Sequence, residues 1–237
     1  MSVLKKRVLI LVGLLSLTVY TFSQPLVGFQ AGINMSGLRG HKTYDDKNPR
    51  FGLNGYLFVD IPFSKNSIVS LETGLSYSPQ GNIHTTSTKD LAATDELKVH
   101  QKLNYIIVPL YLKENYSGFY TKIGPYAGYL IGAESTWKNT KTEPGKDPVV
   151  TSGTYENYKE EISKYDIGIS VGFGFIHYFD PTIYRNKRHR NRRTPVMQVD
   201  FKYNIGLTTI DATGNNSELS LKNQVFTIGI SITSVNN

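Results

Sequence analysis

The chain of 237 residues contains no cysteine, a single tryptophan and one long apolar run. Without cysteine there is no disulfide, no thiolate nucleophile, no thiolate metal ligand and no thiol to carry a lipoprotein's acyl chains. The apolar run covers residues 8–19, and nothing after it is apolar enough to cross a bilayer as a helix. A helical membrane protein is therefore excluded. Hydrophobic residues make up only 39% of the chain and the mean hydropathy is −0.28, values of an ordinary soluble protein. They remain compatible with a membrane β-barrel, in which only alternate strand residues meet lipid. The abundant residues point the same way: 21 glycines, 16 tyrosines and an aromatic content of 12%.

Period-two patterning recurs along most of the chain. In residues 166–175, Ile167, Ile169, Val171, Phe173 and Phe175 alternate with Asp166, Gly168, Ser170, Gly172 and Gly174. Such alternation predicts a strand with one greasy face and one small, polar face. A sheet that showed its second face to water would not fill it with glycine, which weakens a strand by about 0.5–1 kcal/mol. Inside a narrow closed barrel the small face has a purpose, and the greasy face then meets lipid. Eight such segments stand out, at 26–36, 51–61, 68–78, 103–112, 119–133, 165–179, 197–207 and 224–233. The fourth is the least regular. Tyr105 and Tyr111 are read there as outward, which leaves Ile106, Val108 and Leu110 on the inner face.

The links at 62–66 and 113–117 are tight, whereas those after the first, third, fifth and seventh segments are longer and polar. Short turns alternating with long loops mark a barrel with turns in the periplasm and loops outside. The link at 180–195 breaks the pattern, being long on the turn side. The expected fold is all-β: an eight-stranded antiparallel transmembrane β-barrel. An even strand count puts both ends of the barrel on the periplasmic side.

Lys5, Lys6 and Arg7 precede the apolar run, and Thr21-Phe22-Ser23 follows it with small residues where signal peptidase reads. Residues 1–23 are read as a signal peptide cleaved near Ser23/Gln24, and 24–237 as the barrel, lodged in the outer membrane of a Gram-negative cell. The net charge of +7 includes the three basic residues of the signal, leaving +4.

Residues 103–113 read Leu-Asn-Tyr-Ile-Ile-Val-Pro-Leu-Tyr-Leu-Lys, and 124–128 read Gly-Pro-Tyr-Ala-Gly. This block resembles the PorT-like family of outer-membrane β-barrels from Bacteroidetes-type bacteria, in which Tyr-(x)3-Pro-Leu-(x)2-Lys is followed by Gly-Pro-Tyr-x-Gly. Tyr105, Pro109, Leu110, Lys113, Gly124, Pro125, Tyr126 and Gly128 match position by position. The first segment is similar to that family's opening Gly-x-Lys-x-Gly-x-Asn-x-Ser, with Gln30 in place of the lysine. The chain departs from the pattern in its last residues, which lack a terminal aromatic, and in its basic link. The resemblance implies the fold and the outer-membrane location, and it assigns no activity.

The expected inward set includes Asp60, Glu72, Lys122, Asp166, Asp200 and Lys202, with Tyr56, Tyr120 and Tyr126. An eight-stranded barrel is just wide enough for side chains to fill. These charges are read as a polar plug, because buried charges must be paired. A narrow or gated pore is the alternative. A soluble lipocalin-like barrel with its greasy face inward is a further one. Outward aromatics near strand ends (Phe51, Tyr77, Tyr105, Tyr129 and Tyr165 toward the loops; Tyr111, Phe119 and Phe179 toward the turns) are read as girdles. Trp137 and Tyr155 are the better positions for a carbohydrate platform.

His84 and His100 lie among hydroxyl and acidic residues. No nucleophile elbow accompanies them and no short ligand spacing, so neither an enzyme nor a metal site is expected. No cofactor is implied. The run Arg185, Lys187, Arg188, Arg190, Arg192 and Arg193 is read as a periplasmic turn, either solvated or touching anionic lipid or an acidic protein. Export argues against nucleic acid. The expected partners are outer-membrane lipid and an envelope protein met through the 180–195 turn or the long loops. The expected role is structural or interactive, as an accessory subunit of a larger assembly.

Overall fold

The structure is a computed structural model, and it describes residues 25–40, 46–64, 67–89, 94–156, 158–179, 193–210 and 221–236. Its strands are β1 (Leu26–Arg39), β2 (Asp46–Pro62), β3 (Val69–Lys89), β4 (Thr94–Tyr116), β5 (Phe119–Thr142), β6 (Val149–Thr154), β7 (Tyr165–Tyr178), β8 (Arg193–Gly206) and β9 (Lys222–Asn236). A helical turn, α1 (Tyr158–Glu161), separates β6 from β7. Every pairing is antiparallel. Neighbours along the chain pair in turn from β1 to β5, β5 continues to β7, β7 to β8 and β8 to β9, and β9 returns to β1. Eight strands thus close a ring, which leaves the transmembrane part no free edge. β6 stands outside the ring and pairs with β5 alone among the described strands.

Side-chain alternation gives the ring an inside-out distribution. Leu53 is 77% exposed and Phe51 65%, whereas Glu72 and Lys113 are each 1% exposed. Ile33 faces Leu53 on one side and Ile228 on the other, one rung of an apolar outer ladder. The greasy face points outward, opposite to a lipocalin-like arrangement. On the turn side, Ser117 and Gly118 alone join β4 to β5. Gly118 has φ of 82°, a left-handed conformation that a tight hairpin needs and glycine adopts without strain.

Two expectations need correction, and a bulge changes the parity of one strand. First, β4 presents its other face: Tyr105, Ile107 and Tyr111 are buried inside, while Val108, Leu110 and Leu112 are exposed outside. Both faces of this strand are apolar, so period two had no polar side by which to fix the parity. Tyr105 and Tyr111 therefore belong to no girdle. Secondly, the loops after the third and fifth segments are largely strand, since β3, β4 and β5 run on past the loop-side aromatics. The bulge, at Asn104/Tyr105, pairs Tyr105 with Leu130 and Asn104 with Gly132. The extra residue, Ile131, reverses the parity of β5 beyond it. Gly132 consequently shares the outward face of Asn104, and Ser135 is buried inward. The signal at 1–23 and the link at 180–192 lie outside the described residues.

Candidate functional site in the barrel interior

Near the turn-side ends of their strands, five buried charges form one alternating chain. Lys113 Nζ lies 2.9 Å from Asp60 Oδ2 and 3.1 Å from Glu72 Oε2. Lys122 Nζ lies 3.0 Å from Glu72 Oε1 and 2.6 Å from Asp200 Oδ2. The belt Asp60–Lys113–Glu72–Lys122–Asp200 thereby joins β2, β4, β3, β5 and β8 across the lumen. Tyrosines complete it. The Tyr120 hydroxyl donates to Asp200 Oδ2 at 2.6 Å and the Tyr56 hydroxyl to Glu72 Oε1 at 3.4 Å. Lys113 sits 4.4 Å from the centre of the Tyr120 ring, a further site of attraction for a desolvated ammonium. Lys202 joins at the side, donating to Gln30 Oε1 at 3.3 Å and lying 4.7 Å over the Tyr56 ring.

Glycine makes the room for these groups. A Cβ on Gly174 would fall on the Tyr120 ring, and one on Gly229 on the amide nitrogen of Gln30. The inner face is small at these positions because the side chains on the neighbouring strands are large.

A neutral layer follows toward the loops. Ser170 donates to Asn204 at 2.6 Å and meets the Tyr111 hydroxyl at 2.9 Å. Asn34 donates to Ser78 at 2.9 Å and accepts from Thr227 at 2.8 Å.

At the loop-side mouth the interior turns apolar. Leu38, Leu103, Tyr105, Ile107, Tyr126 and Leu130 from the strands pack with Ile162 and Ile210 from the connections. Backbone bonds fasten this cap: Ser163 N donates to Ile210 O at 2.7 Å, Ile210 N to Leu221 O at 2.8 Å and Leu130 N to Lys164 O at 2.9 Å. Asp166 lies beneath it, accepting from Asn223 at 3.1 Å, the Tyr126 hydroxyl at 3.2 Å and Thr208 at 3.5 Å.

Of the six lumen charges expected from the sequence, the structure links Glu72, Lys122 and Asp200 directly and brings in Asp60 through Lys113. Lys202 stands beside them. Asp166 is apart, in no ion pair with any described residue. Lys113 was missed because it was assigned to the turn at 113–117. The inward list held four carboxylates against two lysines, an imbalance that called for another buried cation near a strand end.

The remaining positions separate. His84 is adjacent to Val99 and His100 to Ile83 across the same strand pair, so the two histidines lie on opposite faces and cannot share an ion. Aromatics do cluster outside near both rims. Tyr129 meets Tyr165 edge-on at 5.7 Å on the loop side, and Phe119 contacts Phe175 at 5.7 Å on the turn side. Trp137 lies in β5, its ring against Gly153 of β6. Arg185, Lys187, Arg188, Arg190 and Arg192 fall outside the described residues. Arg193 opens β8, with its backbone paired to Asn236.

The attachment invasion locus protein Ail of Yersinia pestis is similar to this chain at 13% identity and a TM-score of 0.36, over 89% of this chain and 99% of its own. Neisserial surface protein A is similar at 8% identity and a TM-score of 0.33, with the same coverage. No curated protein matches the sequence. The sequence profile of the outer membrane protein beta-barrel domain matches residues 22–212, most of the chain. With its greasy face outward and its polar face closed within an eight-stranded ring, the chain belongs to that outer-membrane β-barrel family.

Proposed function

We propose that the protein is a closed, filled barrel of PorT-like type in the outer membrane of a Bacteroidetes-type bacterium. It is exported by residues 1–23 and acts through the surfaces it displays, as a structural or interaction protein within a larger envelope assembly. The closed interior carries this reading: a salt-bridged belt fills the lumen toward the turns and an apolar cap fills it toward the loops. Among the described residues, the side chains of the belt and of the cap are all buried. The PorT-like assignment is supported by where its motif residues meet. Pro109 faces Tyr126, and a Cβ on Gly124 would collide with the Leu110 carbonyl, so the motif braces one hairpin. The basic turn at 185–193 and the projecting strands are the surfaces for a protein partner.

Planar-bilayer recordings of the purified protein test the reading. No steady conductance is expected. A large, stable open state in the unmodified protein would overturn it in favour of a narrow pore.

A further inference from the structure

Beyond the loop-side aromatics, β3, β4, β5 and β6 continue as a sheet that projects from the barrel. On its outward face the bulge sets Lys98 of β4 directly opposite Lys138 of β5, with His100 opposite Thr136 in the next rank. Thr85, Ser152 and Thr154 extend these ranks onto β3 and β6. Like charges directly opposite in an antiparallel pair repel, and a carboxylate in reach would ordinarily relieve them. None does so here. Lys102 is matched by Glu134 at 3.3 Å, but among the described residues no carboxylate forms an ion pair with Lys98 or Lys138. Glu96 is a rank further out, opposite Thr140.

A recess of ≈ 330 Å³ opens at this place, lined by His100, Thr136, Lys138, Ser152 and Thr154 beside Trp137. An ammonium, an imidazole and three hydroxyls all offer hydrogen to an anion, and among the described residues no carboxylate lines the recess. Partial burial, and then the charges of Lys98 and Lys102, lower the pKa of His100 from its ordinary value. We propose that this face binds the phosphate groups of a glycolipid in the outer leaflet. The location argues for lipid over a free anion. The face continues the lipid-facing side of β4 and β5, and at about 3.3 Å per residue Lys138 stands roughly 20 Å along the strand from Ile131. Tilt shortens that height, and lysine stems reach further down, into the sugar-phosphate layer above the acyl chains.

The proposal rests on the outer-membrane orientation proposed above but not on the closed interior, and binding in micelles is measurable without either. Trp137 is the only tryptophan, and its ring lies against Gly153 on the other face of the same two strands, so its emission reports the sheet that carries the recess. Folded protein in neutral detergent is titrated with purified lipopolysaccharide, with its enzymatically dephosphorylated form, and with the phosphorylated saccharide freed of acyl chains. The phosphorylated glycolipid is expected to shift the emission and to bind at least about tenfold more tightly than the other two. Lys98→Gln with Lys138→Gln should remove that preference, Lys98→Arg with Lys138→Arg should keep it, and Lys141→Gln with Lys146→Gln at the sheet tip should not matter. Equal binding of phosphorylated and dephosphorylated glycolipid by the unmodified protein would overturn the site. Equal binding of the free saccharide would overturn the lipid as its occupant.

Discussion

Toward the turns the lumen is held by Asp60, Lys113, Glu72, Lys122 and Asp200, whereas toward the loops the same lumen is filled by Leu103, Ile107, Leu130, Ile162 and Ile210. The belt draws every member from a transmembrane strand; the cap borrows two members from connections. Ion pairs at 2.6–3.1 Å demand one register of five strands, because a slip of one residue would turn a charge into lipid. Apolar packing tolerates small shifts and suits chain segments that must settle after the ring has closed. Fixing the ring and sealing the mouth are thus separate tasks, given to chemistries of different stringency.

The belt should be the more fragile of the two. Glu72 accepts from both Lys113 and Lys122, so Glu72→Ala strands two buried ammonium groups with one carboxylate each. Breaking a buried pair in this way costs about 3–5 kcal/mol. Reversible urea unfolding in lipid bilayers should register a loss of that size. A loss below about 1 kcal/mol would mean that water already screens the belt and that the lumen is wetter than its packing indicates.

The same contrast explains what could be read from the sequence. Where one face of a strand was polar, as in 166–175, period two gave the strand, its lipid face and its inward residues together. β4 failed because its inner face supplies the cap: Leu103, Tyr105 and Ile107 point inward and are as apolar as Val108, Leu110 and Leu112 outside. That wrong parity also hid Lys113, which joins Asp60 to Glu72 in the belt. The projecting strands were invisible for another reason. Their residues are mostly polar, with Leu97, Val99 and Trp137 too few to set a period, so only cross-strand pairing distinguishes them from loop, and the register of β4 with β5 depends on a bulge that no local pattern announces. Asp166 was grouped with the other acids because charge alone cannot say which layer a residue occupies.

A cut in the cap should be milder. Leu103 is fully buried there, and Leu→Ala in a core costs about 2–5 kcal/mol. Ile162 and Ile210 sit on connections that can relax into the space, so Leu103→Ala should fall near the low end, at about 2 kcal/mol. The loss should be indifferent to salt, and bilayer recordings should stay silent because the belt still fills the lumen. Steady current through Leu103→Ala would show that the cap alone closes the barrel.

The sharpest comparison applies one chemical change to both layers. Asp200 faces Lys122 at 2.6 Å, so Asp200→Asn removes a charge from a desolvated pair and should cost about 3 kcal/mol. Among the described residues, Asp166 meets only neutral donors, from Tyr126, Asn223 and Thr208. An asparagine oxygen can accept from Asn223 and Tyr126, while its nitrogen can donate to the Thr208 hydroxyl. Nothing charged loses its partner, and a rearranged neutral hydrogen bond is worth about 1 kcal/mol or less. Asp166→Asn should therefore leave the unfolding midpoint almost unmoved while Asp200→Asn lowers it clearly. Equal losses would mean that Asp166 is engaged by a cation among residues outside the described segments, and the cap would then need a charge as much as the belt does.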